Sequence, residues 1–360
     1  MASWTDPVRT IGVAIMERVA DNRTETLFDG SRILSATWIE EAAMLGMPRR
    51  LGELTVRVSN DFAVGTGDRA GWRGPAMSAV KAEDPDAMVG KRLDVAVTID
   101  GGSAYVYSGT EYVVDSVEAG DSEAAVHAVG LDSCLDRTLD EAGVSASLAA
   151  TTRPITWCKD AMAAAGWDRT RIHYTGSNSP LGAACDLDGS MTVAEAVSGL
   201  LASSGRGYNV YQRDVYMTGM DTSSSGTWTG AQGWPVPTNS VRYGHLEVED
   251  PAAGSSRTVQ LDATRTGSLK VVVPYSASMD LARLTAWAKA RYSDTLYAVR
   301  VPGANADWVS KPSLYVPVAR WSDGTATKQQ WMNVQRVEHS YDGGYSETLT
   351  GTLGSITTVA

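Results

Sequence analysis

Residues Asn333–Gly354 read "NVQRVEHSYDGGYSETLTGTLG". Two alternating segments flank Asp342-Gly343-Gly344, and Asp-Gly accepts the positive φ that a tight hairpin turn demands. Those three residues are read as a structural turn. On the first strand Val337, His339 and Tyr341 share a face, with His339 roughly across from Tyr345 or Ser346. The imidazole is then either the working group of an active site or one rung of a ribbon. General-base work needs a partner within hydrogen-bond reach and a cleft, and the local sequence offers only Ser340, on the opposite face. His339 is therefore expected to be a surface rung with no catalytic role. A polar replacement there should cost within about 0.5 kcal/mol.

Earlier in the chain, "SLYVPVARW" and "HLEVEDP" alternate in the same way, and "RTVQLDAT" does so too. "SASMDLARLTAWAKARYS" between them has Leu281, Leu284 and Ala288 on one helical face with Arg291. Residues 241–360 are thus a second β region carrying one helix. Upstream, 221–240 ("DTSSSGTWTGAQGWPVPTNS") is rich in Ser, Thr, Gly and Pro and reads as a linker. Residues 131–220 switch to helix signals. "LDSCLDRTLDEAG" spaces Leu131, Leu135 and Leu139 for a short amphipathic helix. "RPITWCKDAMAAAGW" puts Pro154 at a helix start and Gly166 just past its end. Thr192 and Glu195 have capping-box spacing before the stripe Val193, Val197, Leu200 and Leu201. "GYNVYQRDVYMTGM" reads as a hairpin turning near Arg213-Asp214.

Residues 1–130 read as β. "RLGELTVRVSN" and "KRLDVAVTID" alternate, two short strands flank Ser108-Gly109-Thr110, and "EAAVHAVGL" closes the run. Residues 61–90 lack periodicity and read as a long loop over this region. The expected architecture is mainly β with an α+β insert: two β-barrel-like domains, 1–130 and 241–360, flank a small helical and hairpin unit, 131–220. The order of the regions is compatible with a divergent duplication.

The bulk numbers bound function. The chain has 360 residues, 43% hydrophobic and 20% charged, with a net charge of −11. That is a folded composition, with the wrong sign for gripping phosphate. Cys134, Cys158 and Cys185 are odd in number and scattered, so they are read as small buried apolar groups. The N-terminal run "IGVAIM" is too short for a signal peptide or a membrane helix. With 11 Trp and 14 Tyr against 2 Phe, the aromatics favour half-wet contact surfaces. Trp72, Trp228 and Trp234 stand in polar, irregular stretches and are the candidate interface residues.

No common engine of catalysis is present. "SAVK" (78–81) lacks its companion motifs, and "GTGDRAGWRG" lacks both the helix and the Lys of a phosphate cradle. Asp186, Asp188 and Glu195 miss calcium-loop spacing, so a turn into the Thr192 cap is preferred. Glu247 and Glu249 read as a solvated strand face rather than a glycosidase pair. No catalytic residue, cofactor site or metal site is assigned.

The closing stretch "WMNVQRVEHSYDGGYSETLTGTLG" resembles the final hairpin of the tail-tip or baseplate hub proteins of tailed bacteriophages. The resemblance extends upstream through "SASMDLARLTAWAKARYSDTLYAVRVPGANADWVSKPSLYVPV", although "KPSLYVPV" (311–318) departs from the usual Gly-Asp pattern there. "YSGTEYVVDSVEAGDSEAAVHAVGLDSCLDR" (107–137) looks like the end of a first hub barrel. "SMTVAEAVSGLLASSGRGYNVYQRDVYMTG" (190–219) looks like the inserted α+β unit of such a hub. The order of these segments covers roughly residues 30–360 and is more specific than any one of them. The sequence style suggests an actinobacterial phage.

The resemblance implies two related β-barrels per chain and a homotrimeric ring joining the sixfold tail tube to the threefold tip. The implied neighbours are a distal tail protein or tail tube above, tip, spike or receptor-binding proteins below, and the tape-measure protein. DNA would pass the channel without specific binding. The implied location is the virion tail tip, after synthesis in the bacterial cytoplasm. Family likeness supplies no catalytic residues. Competing readings are a distal tail protein in a sixfold ring, a hub with cell-wall hydrolase activity, and an unrelated secreted carbohydrate-active β protein.

Overall fold

The structure is a computed structural model, and it describes residues 11–20, 23–28, 30–41, 52–59, 88–99, 105–106, 111–119, 123–182, 184–203, 206–211, 213–219, 229–230, 232–250, 255–272, 281–302 and 315–359. Most of the loop read at 61–90, the turn Ser108-Gly109-Thr110, Trp72 and Trp228 lie outside the described residues.

The first β region contributes β1 (Ile11–Ala20), β2 (Arg23–Phe28), β3 (Ile33–Glu41), β4 (Gly52–Ser59), β5 (Arg92–Ile99), β6 (Tyr105–Val106), β7 (Tyr112–Ala119) and β8 (Glu123–Gly130). The insert holds β9 (Ser147–Leu148), helix α1 (Pro154–Ala164), β10 (Ile172–Tyr174), β11 (Cys185–Asp186), helix α2 (Val193–Ser203), β12 (Arg206–Tyr211) and β13 (Asp214–Gly219). The remainder is β14 (Gln232–Pro237), β15 (His245–Asp250), β16 (Ser255–Gln260), β17 (Ser268–Val272), helix α3 (Leu281–Ala288), β18 (Leu296–Pro302), β19 (Tyr315–Ser322), β20 (Thr327–Tyr341) and β21 (Tyr345–Val359). The chain is mainly β with a small α+β insert, as the periodicities require.

Among the described residues one antiparallel sheet runs β2-β1-β5-β7-β8-β4-β3-β20-β21-β18-β14, with β6 on β5 and β19 on β20. Period-2 alternation builds it. Leu54, Val56 and Val58 of β4 and Ala124, Val126 and Ala128 of β8 point into one core with Val95, Val97, Tyr112 and Trp38. A second core under the closing strands gathers Val299, Val301, Val316, Val318, Met332, Val334, Val337 and Leu349.

The closing hairpin joins the two regions. Along one edge of β20, Thr327–Asn333 pair with β19 and Arg336–Tyr341 pair with β3. Strand β21 runs along the other edge throughout, with register shifts at Gln330/Met332 and Val334/Arg336. Fifteen residues per strand, at about 3.3 Å each, let one hairpin span both cores. At the second shift the buried Gln335 donates to the carbonyl of Ala290, in the π-turn Lys289–Ser293 that ends α3. The shift thus satisfies a carbonyl that an irregular helix end leaves over.

In the insert, α1 starts at Pro154 and Gly166 follows it at φ +118°. The Thr192 amide donates to Glu195 (2.8 Å) and the Glu195 amide donates back to Thr192 (3.1 Å), a closed capping box. Strands β12 and β13 form the expected hairpin, β10 adds parallel to β13, and α1 and α2 cover one face of this sheet.

Three expectations change. The helix read around Leu131–Leu139 is only a 3-10 turn, Leu131–Asp136, although Leu135 and Leu139 are buried as spaced. The second half of the stretch read as linker is β14, an edge strand on β18. Its prolines suit an edge, where a missing N–H costs nothing. His339 lies opposite Glu347, because Tyr341 pairs with Tyr345 across a three-residue loop. Gly343 in that loop has φ +65°.

Candidate functional site

His339 is fully buried, which overturns its reading as a surface rung. It sits where β20 passes between β3 and β21. The β3 register places Trp38 beside it, and the rings stack at 4.7 Å between centroids with 10° between planes. Tyr345 Oη donates to Glu347 Oε1 at 2.6 Å and lies 2.8 Å from His339 Nδ1. A hydroxyl has one proton, and this one is given to Glu347, so toward His339 the oxygen accepts and Nδ1 carries a hydrogen. Nε2 faces Glu40 Oε2 at 3.8 Å, an ion-pair distance, and Nδ1 is 3.5 Å from Glu347 Oε1.

Burial alone would lower the His339 pKa, but Glu347 and Glu40 outweigh it and raise it from 6.5 to about 9. Burial pushes the Glu347 carboxyl above its ordinary value, against the lowering effect of His339 and Tyr345. His339 therefore keeps its second proton above neutrality. With His339 and Glu347 0% exposed, the imidazole has no surface from which to touch a substrate. Its chemistry is that of an internal ion pair.

A second buried charge centre ties the insert to the first β region. Glu111 accepts from Arg213 Nε at 2.8 Å and from Arg92 at 2.9 Å, and lies 3.2 Å from Arg18 Nε. Arg18 also pairs with Asp94. Arg213 stands in the β12–β13 turn, where its carbonyl accepts from Trp167 Nε1.

Sequence reasoning named Tyr345 only as one of two residues roughly across from His339, missed Trp38, Glu40 and Glu347 as its partners, and missed Glu111 entirely. Counting the loop as three residues would have placed Glu347 opposite His339. No local pattern marks Trp38 or Glu40, about 300 residues away.

The other singled-out residues serve local ends. Asp188 caps Ser190, Asp186 accepts from Ser147, and Glu195 is spent in the capping box. Glu249 accepts from Lys270 on the neighbouring strand. His127 contacts Thr55, and His173 contacts Asp214 while stacking on Tyr216. Cys158 and Cys185 are buried as expected, whereas Cys134 is half-buried, its thiol pushed up to about 12 by burial. Among the described residues no three His, Cys, Asp or Glu groups are arranged to hold a metal, and no helix is long and apolar enough to cross a membrane.

The surface residue that stands out is Trp234. It is 58% exposed on β14, with Val236 two residues on at 63%, and it packs against Trp321 of β19 at 5.0 Å. The turn Asp342-Gly343-Gly344 is exposed, with the Asp342 amide donating to the Gly344 carbonyl.

Comparison with solved structures defines the class of fold. The chain superposes over nearly its whole length on a tail protein from Neisseria meningitidis MC58: TM-score 0.58, 14% identity, 94% of this chain and 96% of that one. The 43 kDa tail protein of prophage MuSo2 from Shewanella oneidensis gives TM-score 0.57, 12% identity, 95% and 97%. An E. coli component of the type VI secretion system, described as structurally similar to the T4 tail proteins gp27 and gp5, gives TM-score 0.51, 10% identity, 95% and 77%. No sequence-family model and no curated protein matches the chain. The chain has the fold of phage tail proteins, and the resemblance read from its sequence holds at that level.

Proposed function

We propose that this chain is a structural hub protein of a bacteriophage tail tip. Three copies form a ring that joins the sixfold tail tube to the threefold tip and surrounds the DNA-ejection channel. The observation that carries this reading is the end-to-end likeness to phage tail proteins, which leaves almost none of the chain outside the shared fold. The similarity of the type VI component to gp27 and gp5 supports the hub position in particular. Limits of 1–130, 131–220 and 241–360 for the parts belong to the same reading, with β3–β20 pairing and the Glu111 centre as the joints between them.

The role is assembly rather than catalysis, and the full burial of His339 supports that. Trp234, exposed beside Trp321, is assigned to a contact with a neighbouring tail subunit. The tail tube or distal tail protein lies above the ring, spike or receptor-binding proteins below, and the tape-measure protein within reach. The chain acts in the virion after synthesis in the bacterial cytoplasm. The net charge of −11 lets DNA pass without specific binding. A reconstruction of the assembled tail tip tests this. Three copies around the axis are expected, whereas six copies in a ring would make the chain a distal tail protein instead.

A further inference from the structure

The geometry points to His339 as a proton-dependent lock on the seam between the two β regions. The Tyr345 hydroxyl proton goes to Glu347, so His339 Nδ1 must carry a hydrogen to satisfy that oxygen. The other ring nitrogen, Nε2, faces the Glu40 carboxylate 3.8 Å away. Only a second hydrogen, held between Nε2 and Glu40, makes that contact attractive. Remove it and a buried carboxylate faces a ring lone pair inside the sheet, which favours parting β3 from β20.

The groups bearing on the imidazole come from every neighbouring strand. Glu40 and the Trp38 ring come from β3, Glu347 and Tyr345 from β21, and Tyr341 shares its face of β20. On its far side Glu40 bears on Tyr112 of β7, whose hydroxyl is held above its ordinary pKa by burial first and then by Glu40, Asp132 and Asp94. Arg336 pairs with Glu41 and Glu338 on the opposite face and does not replace the missing proton.

Because β20 is the strand that joins β3 to β19 and β21, the lock governs the only strand pairing, among the described residues, between the first region and the closing hairpin. The proton therefore sets how firmly one region is held to the other, whatever the chain assembles into.

Hydrogen exchange on the full-length chain, followed by mass spectrometry and normalised for intrinsic rates, tests this between pH 6.5 and 9. Protection of 33–41 and 336–341 should fall about tenfold per pH unit over that range, as one linked proton requires, while α1 and α2 hold theirs. In Glu40→Gln the amide itself donates to a neutral Nε2, so the seam should show a shallower pH dependence, the part set by Glu347 remaining, and should keep more of its protection at pH 9 than the native chain. Seam protection that is independent of pH in the native chain overturns the proposal. So does a loss shared equally by α1 and α2, or a Glu40→Gln chain with the native pH profile.

Discussion

Glu40 and Glu347 flank the fully buried His339, so the protonated imidazole places a positive charge between two buried carboxylates. Removing it takes that positive charge from beside both buried carboxylates. His339→Leu should therefore destabilise the chain by about 3–5 kcal/mol in urea unfolding, the scale for breaking a buried pair. A cost within about 0.5 kcal/mol would return the residue to the surface role expected from sequence. The pH dependence has a definite sign. The His339 pKa is raised from 6.5 to about 9, so its contribution is complete below about 6.5 and lost as pH rises through about 9. The raised Glu347 acts in the same direction. Melting temperature should fall across that interval in the native chain and change less in His339→Leu. Two glycines near this site are constrained for different reasons. Gly343 holds φ +65° with open space around it, so Gly343→Ala should cost about 1 kcal/mol of backbone strain. At Gly351 an added Cβ would lie 2.0 Å from the Asn333 carbonyl oxygen, so Gly351→Ala must prise β21 from β20. Thermal melts should rank Gly351→Ala well below Gly343→Ala.

Helix α2 and the β12–β13 hairpin show how an element is made locally and then placed by a distant charge. The capping box starts the helix, and Thr192→Ala should cost about 1 kcal/mol by denaturant unfolding. Where the insert sits depends on Glu111, which gathers Arg18 and Arg92 from the first region and Arg213 from the hairpin turn. Glu111→Ala leaves three guanidinium groups around a void. It should loosen the insert from the first region, visible as faster proteolysis near 131–137 while the helices keep their far-ultraviolet signal. Unchanged cleavage there would mean that apolar contacts alone hold the insert in place.

Across the whole molecule, the long hairpin is the beam and the two cores are its loads. Trp234 and Val236 lie on β14, at the end of the sheet's strand order, where nothing among the described residues covers them fully. Trp234→Ser should leave monomer stability within about 0.5 kcal/mol, as an exposed substitution does, yet reduce incorporation into tail tips. Equal incorporation of mutant and native chains would remove Trp234 from the interface.

Period-2 and period-3.6 patterns, the Asp342-Gly343-Gly344 turn, the Pro154 start and the Thr192–Glu195 cap were all legible in the sequence, because each depends on neighbours within a few residues. So was the mainly β class with its α+β insert. The partners of His339 were not. Whether a strand histidine faces water or a core depends on what lies across the sheet, and here that is Trp38 and Glu40, brought up by β3 from the far end of the chain. The same holds for Glu111, whose cations come from β1, β5 and the β12–β13 turn, and for β14, whose Gly- and Pro-rich residues become a strand only because β18 offers an open edge. Local sequence determined which elements form. Long-range strand pairing decided which polar groups are buried together, since desolvation and ion pairing act through space and leave no period along the chain.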